Sequence, residues 1–231
     1  MTDVQFVSLP LFPLNSVLYP GLYLPLHIFE KRYQIMINDC IAAEKPFGIV
    51  LIAKGLEVGE AAEPYKIGTV ARIVQVEALE EGQLNILVTG GERFQIWDYA
   101  VSADNYLIGQ VSWLAEDNID TLLFTGEMDA LKHKFHLYLD LLMDLNDADI
   151  DEGLDDKLAK DPSQFSYQVA SLLNVSPIEK QALLEIGDTK ERIEREIDIL
   201  DRAINLMQQV LESRTDDLTQ ELPWGGTVNL N

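Results

Sequence analysis

The chain has 231 residues, of which 47% are apolar and 24% charged, a composition typical of a soluble globular protein with one large domain or two small subdomains. Its net charge of −22 excludes a surface for nucleic acid or anionic membranes, because both depend on clustered Lys and Arg. No apolar stretch is long enough to span a bilayer. Asp3, Pro10 and Pro13 stand where an export signal requires basic residues and a continuous apolar run. We therefore expect a cytoplasmic protein.

Short strands with turns between them are predicted for the first half of the chain. After an extended segment that contains Pro10 and Pro13, a helix is predicted within residues 28–43. Its apolar residues recur at helical spacing: Phe29, Tyr33, Met36, Ile37 and Cys40. Further strands are predicted at 47–53, 68–76, 84–88, 94–96 and 106–113, with a turn at 80–83 and a break at Gly90-Gly91. Six or so short strands with one helix favour a closed or nearly closed small barrel.

Helical periodicity begins at residue 119. Three helix starts are marked by an N-cap residue with Gln or Glu three positions later: Asp161 and Gln164, Ser176 and Glu179, Asp188 and Glu191. The last helix carries an apolar seam: Ile193, Ile197, Leu200, Ile204, Met207 and Leu211. This seam favours packing in a small antiparallel bundle, with an intermolecular coiled coil as the alternative. We therefore expect a β subdomain at 1–118 and a helical bundle with a C-terminal tail at 119–231.

The segment from Leu9 to Tyr33 carries the most specific motif, LPLFPLNSVLYPG followed by LPLHIFEKRY. It closely resembles the N-terminal substrate-binding domain of Lon proteases, especially the short free-standing bacterial members. Stretches at 47–51, 67–71, 91–94 and 180–185 agree with that family, so the resemblance covers about residues 6–212. It implies an α+β fold, in which a small PUA-like β-barrel with one helix precedes a C-terminal helical bundle. It also implies that the domain recognises polypeptide.

The catalytic parts of full-length Lon proteases are not evident in this sequence. No GxxxxGK[ST] P-loop and no GxSxG motif occur, and too few residues follow 212 for a peptidase domain. We therefore expect no catalytic residue, no cofactor and no enzyme activity. The favoured function is a polypeptide-binding adaptor or regulator in protein quality control. The alternatives are a small-molecule-binding or enzymatic barrel and an oligomeric scaffold, and we expect a monomer or a weak dimer.

The candidate peptide contacts are Tyr19, Leu22 and Tyr23, which flank Pro20-Gly21. Pro followed by Gly predicts a type II turn, because Gly takes the required positive φ at little cost. Aromatic side chains on such a turn favour contact with unfolded or hydrophobic polypeptide segments. The alternative interpretation is that they pack between barrel and helix. The acidic flanks favour clients with basic residues and predict binding that weakens with salt.

Other residues of the motifs have scaffold interpretations. Gly68 and Gly91 are predicted to permit tight strand connections. Arg93 and Glu30 are candidates for a buried or half-buried ion pair between barrel and helix, although Glu30 also suits the first turn of a helix. Cys40 lies in an apolar run and is predicted to be a buried small hydrophobe.

No metal site is predicted. His133 and His136 have a spacing that could hold a metal ion, but the sequence offers no evident third ligand. Residues 146–156 resemble the start of an EF-hand loop, yet Glu152 and Leu158 stand where that loop requires glycine and glutamate. We interpret this segment as an acidic loop, with weak divalent-cation binding as the alternative.

Overall fold

The computed structural model describes residues 5–56, 62–115, 125–146 and 158–220. The strands and a short 3-10 helix are β1 (Val7–Leu14), β2 (Tyr23–Ile28), β3 (Phe47–Lys54), β4 (Glu63–Ala78), the 3-10 helix (Glu80–Gly82), β5 (Leu84–Val101) and β6 (Leu107–Trp113). The α-helices are α1 (Lys31–Ala43), α2 (Thr125–Asn146), α3 (Pro162–Leu172), α4 (Pro177–Glu185) and α5 (Thr189–Gln220). The predicted α+β class is confirmed, whereas the predicted subdomain boundary at 118 lies outside the described residues.

The six strands form one sheet in the order β2-β5-β4-β3-β1-β6, and β5 also pairs with β6, which closes the sheet on itself. This closure depends on the length of β5, which has 18 residues. One edge of β5 pairs with β4, while the other edge pairs first with β2 and then with β6. The predicted small barrel is therefore present, with β2 as an additional strand beside its seam.

Strand β5 runs without a break through Gly90 and Gly91, where the sequence predicted the end of a strand. The pairing register with β4 shifts at this point, which marks a β-bulge that bends the long strand. A Cβ atom at Gly90 would lie 2.1 Å from the backbone oxygen of Tyr19. Glycine is thus needed for close approach of two chain segments. Gly68 also lies inside a strand, so the predicted role of Gly68 and Gly91 in tight connections is wrong.

Helix α1 packs against the barrel. Its buried residues are Tyr33, Gln34, Met36, Ile37 and Cys40. All of these except Gln34 pack in one apolar cluster with barrel residues that include Phe12, Leu14, Phe47, Ile49 and Val88. The predicted helical spacing and the burial of Cys40 are confirmed. Phe29, which the sequence placed on this helix, precedes it and is 50% exposed.

Helices α3, α4 and α5 begin where the sequence predicted. The N-cap side chains of Asp161, Ser176 and Asp188 accept hydrogen bonds from backbone N–H groups three residues later, and Ser176 forms the full capping box. The seam of α5 packs against α2 within the chain, with Ile193, Leu200 and Ile204 buried. None of the described helices is both long and apolar enough to cross a membrane.

Arg93 joins the barrel to the helices. Its side chain is only 1% exposed, and Nη1 donates to the carbonyl oxygens of Leu184 at 2.8 Å and Ile186 at 3.3 Å, at the end of α4. The predicted ion pair with Glu30 is wrong. Glu30 follows the part of β2 that pairs with the opposite end of β5, about 30 Å along that strand from Arg93 at roughly 3.3 Å per residue, and it pairs with Arg32 instead.

Candidate functional site

A tight turn at residues 19–22 leads the chain into β2. The backbone N–H of Leu22 donates to the oxygen of Tyr19 at 3.2 Å, and Gly21 has a φ of +76°. These features confirm the predicted type II turn at Pro20-Gly21. Gly21 also donates its N–H to the oxygen of Gly90 at 2.9 Å, so the turn is tied to β5 and fixes where β2 begins.

We expect Gly21→Ala to lower the free energy of unfolding by about 1–2 kcal/mol, because a Cβ atom disfavours the left-handed backbone. The new methyl group would also lie 2.1 Å from Oε1 of Gln164, whose flexible side chain must move. Urea unfolding followed by circular dichroism measures the change. Gly126→Ala is the matched control, because nothing lies within 4 Å of its Cβ position and alanine is favoured in helix α2. Equal destabilisation by both substitutions would contradict the role of the turn.

The structure separates the three residues that were predicted to contact peptide. Tyr19 is 1% exposed and its hydroxyl donates to the oxygen of Lys180 at 2.9 Å. Burial, with Glu196 nearby, raises the pKa of Tyr19 above its ordinary range. Leu22 is partly buried against the same helical core, whereas Tyr23 is 67% exposed on β2. Tyr19 and Leu22 thus hold the turn against the helices, and of the three only Tyr23 is available at the surface.

A groove lies at the seam of the barrel, between β1 and β2. The last three residues of β1, Phe12–Leu14, pair with β3 but extend beyond the stretch that pairs with β6. Strand β2 in turn pairs only with β5 among the described strands. The opening between these two edges has a volume of about 260 Å³. We call it the seam groove, and its lining residues are Phe12, Pro13, Leu14, Pro25, Leu26, His27, Ile28, Phe29, Glu30 and Tyr33.

The wall of the seam groove is apolar and rigidly packed. Phe12 stands edge-to-face against Tyr33 with ring centroids 4.2 Å apart, and both rings are nearly buried. At the rim, Phe29 stacks on His27 with centroids 5.8 Å apart and stays half exposed. Phe12 and Phe29 were not predicted as site residues from the sequence. A signal for Phe29 was available, because Glu30 suits a helix start and would leave Phe29 outside the helix.

The two titratable side chains of the seam groove outside its aromatic wall, His27 and Glu30, both have partners. Nδ1 of His27 lies 2.9 Å from Oδ1 of Asn85. The carboxylate of Glu30 forms an ion pair with Arg32 at 3.1 Å. The groove therefore offers apolar side chains and strand backbone more than a free charge, and this suits a ligand recognised by shape and backbone hydrogen bonds.

Two larger grooves flank helix α1. One, of about 410 Å³, lies between the end of α1 and β4, and the other, of about 450 Å³, lies between α1 and the start of β1. Cys40 lines both, and burial raises the pKa of its thiol to about 11. A thiol that keeps its proton at neutral pH is a poor nucleophile, so neither groove has the chemistry of a cysteine active site.

His133 and His136, the histidines with a possible metal-ligand spacing, belong to no ligand cluster among the residues that the structure describes. His136 has its Nδ1 2.8 Å from the backbone oxygen of Lys132 on α2. Across the described ranges, no group of three His, Cys, Asp or Glu side chains is arranged to hold a metal ion. The part of the acidic loop from 147 to 156 lies outside the described residues.

The sequence is similar to the N-terminal part of Lon proteases. The family model for the ATP-dependent protease La (LON) substrate-binding domain matches residues 8–202. Lon protease of Flavobacterium johnsoniae is 31% identical over 214 residues, which are 91% of this chain and 25% of that protein. Lon protease 2 of Syntrophobacter fumaroxidans is 30% identical, over 81% of this chain and 23% of that protein. The chain thus spans about a quarter of the length of these relatives.

Two solved structures share the fold. The Lon N-terminal domain protein from Xanthomonas campestris is 28% identical, with a TM-score of 0.59 over 82% of this chain and 96% of that one. The N-terminal domain of Mycobacterium avium complex Lon protease superposes with a TM-score of 0.63 at 20% identity, which is a likeness of fold. The family match covers most of the sequence, and the fold is similar to that of both solved structures. The chain belongs to the family of ATP-dependent protease La (LON) substrate-binding domains.

Proposed function

We propose that this chain is a non-catalytic module that binds unfolded or hydrophobic polypeptide segments in the seam groove. The observation that carries the proposal is an apolar groove between two strand edges, in a member of a substrate-binding family. No serine or cysteine lines this groove, which supports binding without covalent chemistry. The proposed setting is an adaptor or regulator of protein quality control in the cytoplasm.

The contact residues that we propose lie on and after β2. Tyr23, Pro25 and His27 alternate along the strand, so their side chains share its exposed face, and Phe29 continues this surface at the rim. Aromatic side chains have only two rotatable side-chain bonds and lose little conformational freedom on binding. We therefore assign ligand contact to Tyr23 and Phe29, and the positioning of the turn to Tyr19 and Leu22.

The charge of the protein supports a preference for basic clients. A net charge of −22 attracts polypeptides rich in Lys and Arg and raises their association rate at low salt. The proposal therefore expects tighter binding to a basic unfolded polypeptide than to an acidic one of equal hydrophobicity. The difference should shrink between 50 and 500 mM salt, because screening shortens the reach of the charges.

We expect Tyr23→Ala and Phe29→Ala each to weaken binding of a labelled, reduced and alkylated lysozyme by about five- to thirtyfold, since each removes a half-exposed aromatic contact. Fluorescence anisotropy measures the affinity. Ile178→Ala is the matched control, because this side chain is 64% exposed on α4 and lines none of the grooves. Absence of binding by the unmodified protein would refute the proposed function, and an equal loss in the control would refute the proposed site.

A small-molecule-binding or enzymatic barrel is the weaker alternative. It expects a deep pocket with perturbed titratable groups. The pKa values of Tyr19 and Glu196 are strongly raised, but these residues are packed among the helices and line none of the three grooves. Cys40 lines the two larger grooves, but its raised pKa keeps the thiol protonated and makes it a poor nucleophile. An oligomeric scaffold is likewise less supported, because the seam of α5 is used within the chain. We propose that the protein is a monomer or a weak dimer, and light scattering tests this oligomeric state. We also propose subdomains at 1–118 and 119–231.

A further inference from the structure

We propose that the seam groove takes its polypeptide as an added β-strand along the free edge of β2. In this arrangement, N–H groups of every second ligand residue donate to the backbone oxygens of Tyr23, Pro25 and His27. The inference rests on the proposed function and deepens it, because it states which atoms of the ligand are recognised. It predicts a ligand defined by its extended backbone, with side chains as a secondary contribution.

The hydrogen bonds between β2 and β5 show which β2 residues face the free edge. The N–H of Gly90 donates to the oxygen of Leu22 at 2.8 Å, just before β2 begins. Bonding groups alternate between the two edges of a strand, so even-numbered residues continue this ladder toward β5. Tyr23, Pro25 and His27 consequently direct their N–H and C=O groups to the opposite edge, where β2 has no strand neighbour in the described part of the chain.

Because of Pro25, the free edge of β2 has fewer backbone N–H donors than C=O acceptors. Proline has no N–H, and at an outward-facing position it costs β2 no bond with β5, which explains why the strand tolerates it. The edge therefore offers three carbonyl oxygens but only the N–H groups of Tyr23 and His27. A bound segment is thus held mainly through its own N–H groups.

The rest of the groove fits an extended segment of alternating character. Side chains on one face of an added strand would contact Phe12 and Tyr33, while those on the other face would remain in solvent. A second copy of this chain is a poorer occupant, because each copy carries −22 and the two would repel. A short, apolar segment flanked by lysines is complementary in charge, and we take it as the occupant.

The test uses a capped eight-residue peptide of alternating valine and threonine with lysine at both ends. In one version the valine nitrogens are methylated, and in the other the threonine nitrogens. We expect one of the two versions to bind at least about tenfold more weakly than the parent and the other to change by less than about threefold, since only one set of N–H groups faces β2. Isothermal titration calorimetry at 50 mM salt measures all three.

A gain of affinity completes the test. Pro25→Ala restores an N–H to the edge, so we expect about three- to tenfold tighter binding of the parent peptide. Pro177→Ala is the matched control, because Pro177 is exposed at the start of α4, and its loss loosens the unfolded chain in the same way. No change of affinity is expected there.

The outcomes separate the two proposals. Peptide binding that is equally sensitive to both methylated versions, or unchanged by Pro25→Ala, would overturn the added strand while leaving polypeptide binding intact. No binding of this peptide and none of unfolded lysozyme would overturn both. If Pro25→Ala forms dimers without peptide in sedimentation experiments, the edge accepts a second copy of the chain, and the assigned occupant is wrong.

Discussion

Replacing Glu196 by glutamine is expected to raise the free energy of unfolding at pH 7 by about 3 kcal/mol. Glu196 is fully buried among the helices. Ser166 donates to its Oε1 at 2.7 Å, while Oε2 has no hydrogen-bond partner in the described part of the chain. Burial raises the pKa of this carboxyl to about 8, and the opposing influences of Ser166 and Arg192 are smaller.

The sign of the pH dependence follows from this raised pKa. Between about pH 4.5 and 8 the folded protein keeps a proton on Glu196 that the unfolded chain releases. The stability that this proton provides is fully present below about pH 4.5 and is lost as the pH rises to about 8. Glutamine has the shape of the protonated carboxyl and cannot titrate. The variant should therefore lose most of the decline in stability over this interval.

Urea unfolding at half-unit steps from pH 4.5 to 8.5 tests this expectation. Glu194→Gln is the matched control, since it makes the same change of charge on the same helix at a side chain that is 60% exposed. Its curve should follow the unmodified protein. An unchanged pH slope in Glu196→Gln would show that this carboxyl is ionised in the fold, stabilised by Arg192 and buried water.

Arg93→Met is expected to lower the free energy of unfolding by about 3 kcal/mol. Methionine can fill much of the space, but the oxygen of Leu184 loses its donor, and that oxygen lies at the interface of barrel and helices. A buried acceptor without a donor costs far more than a lost surface contact. We expect the loss to appear in both the helical circular dichroism signal and the tryptophan fluorescence of the barrel.

Arg72→Met is the comparison for this prediction. Arg72 lies on β4 and pairs with Glu92 at 2.7 Å, but its side chain is 50% exposed. Exposed pairs of this kind contribute about 1 kcal/mol or less. A loss in Arg93→Met no larger than in Arg72→Met would mean that other contacts hold the helices to the barrel.

Local signals in the sequence predicted local structure well. Asp161 and Ser176 mark helix starts because their side chains bond to N–H groups only three residues away, within the same short segment. The turn at Pro20-Gly21 was predictable for the same reason, since the φ of one glycine decides it. The helix α1 was predictable from the spacing of its apolar residues, because these residues all lie on one face of a single helix. Family membership was also evident, because its motif is contiguous.

Contacts between segments that are distant in the chain could not be predicted from such local signals. Gly90 looks like a strand end in sequence, and only its approach to Tyr19 shows why glycine is needed inside β5. Arg93 was assigned to the wrong partner, because the length of β5 carries it away from Glu30 and toward the end of α4. Glu196 is a charged residue type that local composition places at the surface, yet it is buried because it lies one turn from Ile193 and Leu200, on the face of α5 that packs against the other helices.

By itself, the sequence determined the class of fold, the family, the helix starts and the turn that leads into β2. All of these depend on residues that are neighbours in the chain. The tertiary structure decided which residues of the opening motif are accessible, because burial of Tyr19 and exposure of Tyr23 depend on the helices that pack over the turn. It also decided where a ligand has room. The seam groove exists because β6 covers only part of β1 and β2 pairs on one side, and both are properties of strand pairing across the whole barrel.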